Sequence, residues 1–172
     1  HLEILAYTDN LTNLGNRQYL QKKLNSLDAT HEKDYAIIFV DINDLKYAND
    51  NYGHEAGDQL IKMVAFSIKD AMESSAEGFS GRNGGDEFIC TVIPAGRVTS
   101  IANSIKENLA IAKEIENPPF PVSISIGVAN YREVVAGTSL LNKHSINSSH
   151  VIKLADERMY EDKCIYKKNR KL

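Results

Sequence analysis

Three carboxylates in this chain are placed where acids do chemistry. Asp41 sits near the end of the apolar run Tyr35-Ala36-Ile37-Ile38-Phe39-Val40-Asp41-Ile42. Asp86 and Glu87 follow two glycines in Arg82-Asn83-Gly84-Gly85-Asp86-Glu87-Phe88 and lead into a second apolar run. A tight turn needs glycine and polar residues, but it does not need a pair of acids entering a strand. If the two runs are neighbouring strands, Asp41 and Asp86 converge on one ion. A few oxygen ligands suit Mg²⁺, which keeps waters and takes substrate phosphates to complete its shell. The alternative is that Asp41 caps a following helix and Asp86 solvates the turn.

Other polar residues lie near in sequence. Lys163 and Lys167 are four apart and share a helix face, and Lys46 follows the Asp41 run. Together they could meet a triphosphate; singly, each reads as a solvated lysine. Asn49 and Asp58 flank Gly53-His54. A carboxylate accepts from the ring N–H and amine of guanine, and an amide adds a complementary contact. Adenine leaves that carboxylate unpaired, at a cost of about 1–3 kcal/mol. Taken alone, the pair also reads as helix-capping residues.

The elements that must hold these groups follow from periodicity. The opening Leu2, Leu5 and Ala6 have helical spacing and suggest the end of a linker helix over residues 1–8. Asn16–Leu27 is an amphipathic helix with Tyr19, Leu20, Leu24 and Leu27 inward. Tyr35–Ile42 is a central strand, followed by a helical turn through Asn51 broken at Gly53. Glu55–Ser74 carries the stripe Leu60, Ile61, Val64, Ala65, Ile68 and Met72. Gly78–Ile93 is a hairpin turning at Gly84-Gly85, with both faces of its second strand partly buried. Arg97–Glu116 is a helix stopped by Pro118-Pro119. The next strand puts Val122, Ile124, Ile126 and Val128 on one face. Asn130–Ser149 is an irregular loop, and Ser149–Lys168 is a last helix with Met159 and Tyr160 at packing spacing. Helices on a sheet with an antiparallel pair make an α/β (α+β) domain.

A length of 172 residues favours one domain with a real core. The net charge of -3 argues against nucleic-acid binding by bulk charge. Cys90 and Cys164 make no disulfide framework and fit a reducing compartment. Cys90 reads as core and Cys164 as either buried or exposed. His54 reads as structural, and His144 and His150 as incidental. No apolar run approaches the roughly 20 residues of a membrane helix. The start at His1 suggests a domain excised from a longer chain.

The segments DNLTNLGNR (9–17), VDINDLKYANDNYGHEAGD (40–58), GRNGGDEF (81–88), SISIGVA (123–129) and ADERMYEDK (155–163) resemble, in order and spacing, those of GGDEF-domain diguanylate cyclases. The likeness spans nearly the whole chain, with the domain expected over 9–172. It implies a nucleotidyl-cyclase or polymerase-palm fold, with a central, mostly antiparallel five-stranded sheet flanked by helices. It implies condensation of two GTP into cyclic di-GMP and two pyrophosphates, with Mg²⁺ or Mn²⁺, between two facing domains of a homodimer. By position Asp41, Asp86 and the Ile42 carbonyl match metal ligands, and Glu87 a further ligand or base. Asn49 and Asp58 match guanine readers. Leu45, Lys46, Gly84, Gly85, Lys163 and Lys167 match the rest of the GTP site. The implied setting is cytoplasmic, under an upstream sensory or regulatory domain of a bacterial signalling protein that is itself membrane-anchored or not.

Departures from the pattern are Asn43 for a frequent Asp, Leu45 for Phe, Lys167 for Arg and Tyr166 for a common Gly. Members with product inhibition carry Arg-x-x-Asp where this chain has Ser75 and Gly78, so no such site is expected. Relatives that accept ATP tend to have Ser at the place of Asp58, which points to GTP alone. Two other readings stand beside the enzyme: a GTP-binding module that signals to a partner domain and catalyses little, and a dimerisation element.

Overall fold

In the computed structural model, residues 2–170 are described, except for the side chains of Leu2, Glu3, Leu5, Leu140, Leu141 and His144. The sequence-based expectations for the Leu2, Leu5 and His144 side chains and for His1, Lys171 and Leu172 therefore lie outside the described residues.

The elements run α1 (Leu2–Tyr7), α2 (Arg17–Ala29), β1 (Ala36–Ile42), α3 (Leu45–Tyr52), α4 (His54–Met72), β2 (Phe79–Arg82), β3 (Glu87–Val92), α5 (Val98–Glu116), β4 (Ile124–Asn130), α6 (Tyr131–Ala136) and α7 (Ser148–Asn169). The strands form one sheet in the order β2-β3-β1-β4, and every pairing is antiparallel. All seven residues of β1 are buried, as its β-branched run requires of a central strand.

Strand alternation sorts the core into two layers. Ile38, Val40 and Ile42 of β1 join Phe88, Cys90 and Val92 of β3 under α4 and α5, which contribute Leu60, Val64, Ile68, Ile101 and Ile105. Ile37, Phe39 and Ile89 face the other way, against Leu20, Leu24 and Leu27 of α2 and Val151, Ala155 and Met159 of α7. Asp41 has the parity of Ile37 and Phe39, which turns it toward the α2 and α7 layer.

Four expectations are corrected. The sheet has four strands among the described residues, not five. Beyond β4, side chains of α7 take the place of a neighbouring strand: Asp162 Oδ2 accepts from the Ile126 amide at 2.9 Å, and Arg158 Nη1 donates to the Val128 carbonyl at 2.7 Å. The segment from Asn130 is not simply a loop. Asn130 and Glu133 form a capping box that starts α6, and a 3₁₀ turn spans Leu140–Ser145. His150 is not incidental either, since its Nδ1 accepts from the Asn147 amide and caps α7. Tyr160 is exposed, whereas Met159 packs inward.

Gly127 sets the distance between β4 and α7. A Cβ there would fall on the Ala155 carbonyl oxygen and the Met159 amide nitrogen. The helix thus lies directly on the strand, which carries Lys163 toward the end of β1. At the other margin, the Arg82 amide donates to the Gly15 carbonyl at 2.8 Å, and Gly15 bridges Gly81. Among the described residues no helix is long and apolar enough to cross a membrane.

Candidate functional site

The register pairs Asp41 with Glu87 across β1 and β3, and the Ile42 amide donates to the Asp86 carbonyl at 2.9 Å. Asp86 therefore stands at the mouth of the hairpin beside Asp41, as the sequence spacing anticipated. Asp41 is buried. Its Oδ2 accepts from Lys163 Nζ at 2.7 Å, while its Oδ1 is buried with no hydrogen-bond partner among the described residues. Burial pushes the Asp41 carboxyl up to about 6; the Lys163 hydrogen bond pulls it down, and the nearby Asp86 carboxylate pushes it up again. A buried acid with one idle oxygen beside a second acid is short of positive charge.

That shortage fits a divalent cation. Among the described residues no group of three or more His, Cys, Asp or Glu side chains has metal-binding geometry. Two carboxylates, with the Ile42 carbonyl in the same turn, leave most of a shell to water and phosphate, as Mg²⁺ prefers.

Glu87 is turned back over the hairpin, where its Oε2 accepts from Asn83 Nδ2 at 3.2 Å. Arg82 fixes the turn. Its Nη2 donates to the Gly85 carbonyl at 2.7 Å and its Nε to the Gly84 carbonyl at 3.1 Å. Its Nη1 reaches Asp9 at 3.4 Å. This Arg82–Asp9 link was not anticipated, although both residues lie in the quoted motifs; nothing in local spacing joins positions 73 apart.

Asn43 does not join the acids. Its amide is buried and turned to β4, donating to Ser123 Oγ at 3.0 Å and accepting from Ser125 Oγ at 2.9 Å. The amide gives one donor and one acceptor to the two hydroxyls without burying a further charge.

Asn49, on α3, packs its amide onto Gly57, where any Cβ would strike it. Asp58 is the next residue on α4 and is exposed. The structure thus brings Asn49 to the start of α4 beside Asp58. Leu45 is partly buried against the core. Lys46 is exposed and pairs with Asp50 one turn on. Lys167 is exposed near the end of α7. Gly84 and Gly85 are exposed at the turn.

Ser75 is buried. Its Oγ donates to the Ile93 carbonyl at 2.9 Å and accepts from the Ile93 amide at 3.2 Å. At Gly78 a Cβ would come within 2.6 Å of the Thr91 carbonyl. These two positions are packed shut.

An antiparallel sheet between helical layers thus carries an acid pair at the mouth of a Gly-Gly hairpin. The family model described as "Diguanylate cyclase, GGDEF domain" matches residues 6–169, and the chain belongs to that family. It is similar to "Probable diguanylate cyclase DgcT" of Escherichia coli K12, 30% identical over 92% of this chain and 34% of that protein. It is also similar to "Cyclic di-GMP phosphodiesterase PdeR" of the same organism, 28% identical over 94% of this chain and 23% of that protein. Among solved structures, the GGDEF domain of DgcB from Caulobacter crescentus in complex with c-di-GMP is 28% identical, with a TM-score of 0.67 over 92% of this chain and 90% of that one. The chain thus spans about a third or less of the length of these two curated relatives.

Proposed function

We propose that this chain is the catalytic domain of a GTP-specific diguanylate cyclase, two copies of which face each other to join two GTP into cyclic di-GMP with release of two pyrophosphates. The observation that carries the reading is the idle, buried Oδ1 of Asp41 beside Asp86. Asp41, Asp86 and the Ile42 carbonyl would hold Mg²⁺ or Mn²⁺. When bound, the cation neutralises phosphate charge and acidifies the attacking 3′-hydroxyl.

The chain's own residues do the positioning, which is most of the work when two bound nucleotides must meet. Asp58 accepts from the guanine ring N–H and amine, and Asn49, braced on Gly57, supplies the complementary contact. Lys163 neutralises Asp41 in part and stands as the nearest cation to the phosphates; Lys46, Lys167 and Leu45 border them. Gly84 and Gly85 let backbone and nucleotide approach without a side chain between. Glu87, steadied by Asn83, is the further acid at the site.

A second reading has one observation in its favour: the Lys163–Asp41 ion pair competes with a cation for Asp41. It makes the chain a GTP-binding module that signals to a partner domain. Incubation with GTP and Mg²⁺ separates the two. The expected result is cyclic di-GMP, at a specific rate that rises with protein concentration, and little turnover of ATP. Binding of GTP with no product at any concentration would establish the module instead.

Product feedback through the region before the hairpin is not expected, because Ser75 and Gly78 offer neither a guanidinium nor a carboxylate. Titration calorimetry should find no submicromolar binding of cyclic di-GMP there. Tight binding that is lost on Ser75 substitution would overturn this.

A further inference from the structure

Asp44 makes the turn from β1 into α3. It holds the left-handed conformation, with φ 58° and ψ 27°, at the N-cap of α3, yet its side chain caps no amide of that helix. An aspartate at this position ordinarily folds over its own helix and accepts from the second or third amide. Here the carboxylate points to α7. Tyr166 Oη donates to Oδ2 at 2.6 Å, and the Arg170 guanidinium grips Oδ1. The Asp44 side chain is only 7% exposed in this clamp. Burial and the Asp44 carboxylate push the Tyr166 hydroxyl up to about 12, so it stays a donor.

The clamp is built by Tyr166 in the last turn of α7 and by Arg170, which caps the end of that helix, three and seven positions beyond Lys163. Asp44 lies three residues past Asp41 and two before Lys46. In the proposed reading, that stretch borders a triphosphate. A free carboxylate there would repel the phosphates and would also occupy the first-turn amides of α3, which favour anions.

We infer that Tyr166 and Arg170 are positioning residues that draw the Asp44 carboxylate onto α7, keeping the N-terminus of α3 open to the phosphates of GTP. The inference rests on the proposed GTP site. It gives a use to Tyr166, which stands where the family commonly has glycine. It also makes the end of α7 a single working face: Lys163 meets Asp41, and Tyr166 and Arg170 meet Asp44.

The test uses a non-hydrolysable GTP analogue with Mg²⁺ in calorimetry, and KM and kcat in the cyclase assay. The double variant Tyr166→Phe/Arg170→Met should bind roughly tenfold more weakly, with KM raised to match and kcat within about twofold. Adding Asp44→Gly, which suits a positive φ, should restore binding, because the offending carboxylate is gone. The milder Tyr166→Phe alone should move KM in the same direction, and it guards against a double variant that fails to fold. Unchanged binding in a folded double variant, or a loss that Asp44→Gly does not rescue, overturns the inference. Wild-type protein that binds no analogue overturns the GTP site itself, and this inference with it.

Discussion

Replacing Asp86 with asparagine is expected to abolish cyclic di-GMP formation, by about a thousandfold or more, while making the free protein more stable. The two effects share one cause. Asp41 is buried, and Asp86 adds a second negative charge against it. The folded Asp41 titrates near 6, above its ordinary value of 3.8. Between those values the native state binds more protons than the unfolded chain, so stability falls as pH rises through that window and stays reduced above it. Asparagine keeps the shape of Asp86 and removes its charge, which relieves part of that cost. The gain should be about 1 kcal/mol at pH 8 and should vanish near pH 4. Mg²⁺ should raise the melting temperature of wild-type protein at pH 8 and leave the Asp86→Asn protein nearly unmoved. A variant that keeps wild-type turnover, or that still answers to Mg²⁺ in the melt, would refute the assignment of Asp86 to the cation.

The second large effect is expected at Gly127→Ala. The added methyl meets backbone atoms of α7 rather than a side chain that can swing away. Either the helix lifts from β4 or the strand dents, and overpacking of this kind costs about 1–3 kcal/mol or more. Because no rotamer relieves it, a loss at or above the top of that range is expected, about 10 °C in melting temperature for a domain of this size. Lifting α7 also withdraws Lys163 from Asp41, so activity should fall beyond what unfolding explains. Gly96→Ala is the control, since a Cβ there meets nothing within 4 Å. A Gly127→Ala protein that melts within 2 °C of wild type would mean that the strand and helix are not tightly apposed.

Much of this arrangement was legible in the residues. The β-branched run at Ala36–Ile42 declared a buried strand, and the alternation at Phe88–Val92 declared a strand buried on both faces. Once those strands pair, Asp41 and Asp86 have little choice but to meet. Other features depend on contacts between distant segments, which periodicity does not encode. Asp162 and Arg158 look like ordinary charges on a helix, yet they satisfy the outer polar groups of β4, so the expected fifth strand has no role there. Lys163 reads as a phosphate ligand from its spacing, and in the structure its partner is Asp41. Asn130–Ser149 read as a loop because α6 is short and has no buried residues. The capping box of Asn130 and Glu133 is what starts α6 within that polar stretch.

Both outer strands have company along their free sides: the Gly15 segment lies along β2, and the long final helix along β4. A neighbouring molecule therefore finds few spare peptide groups with which to extend the sheet. Any contact between copies of this chain therefore falls to side chains rather than to shared backbone.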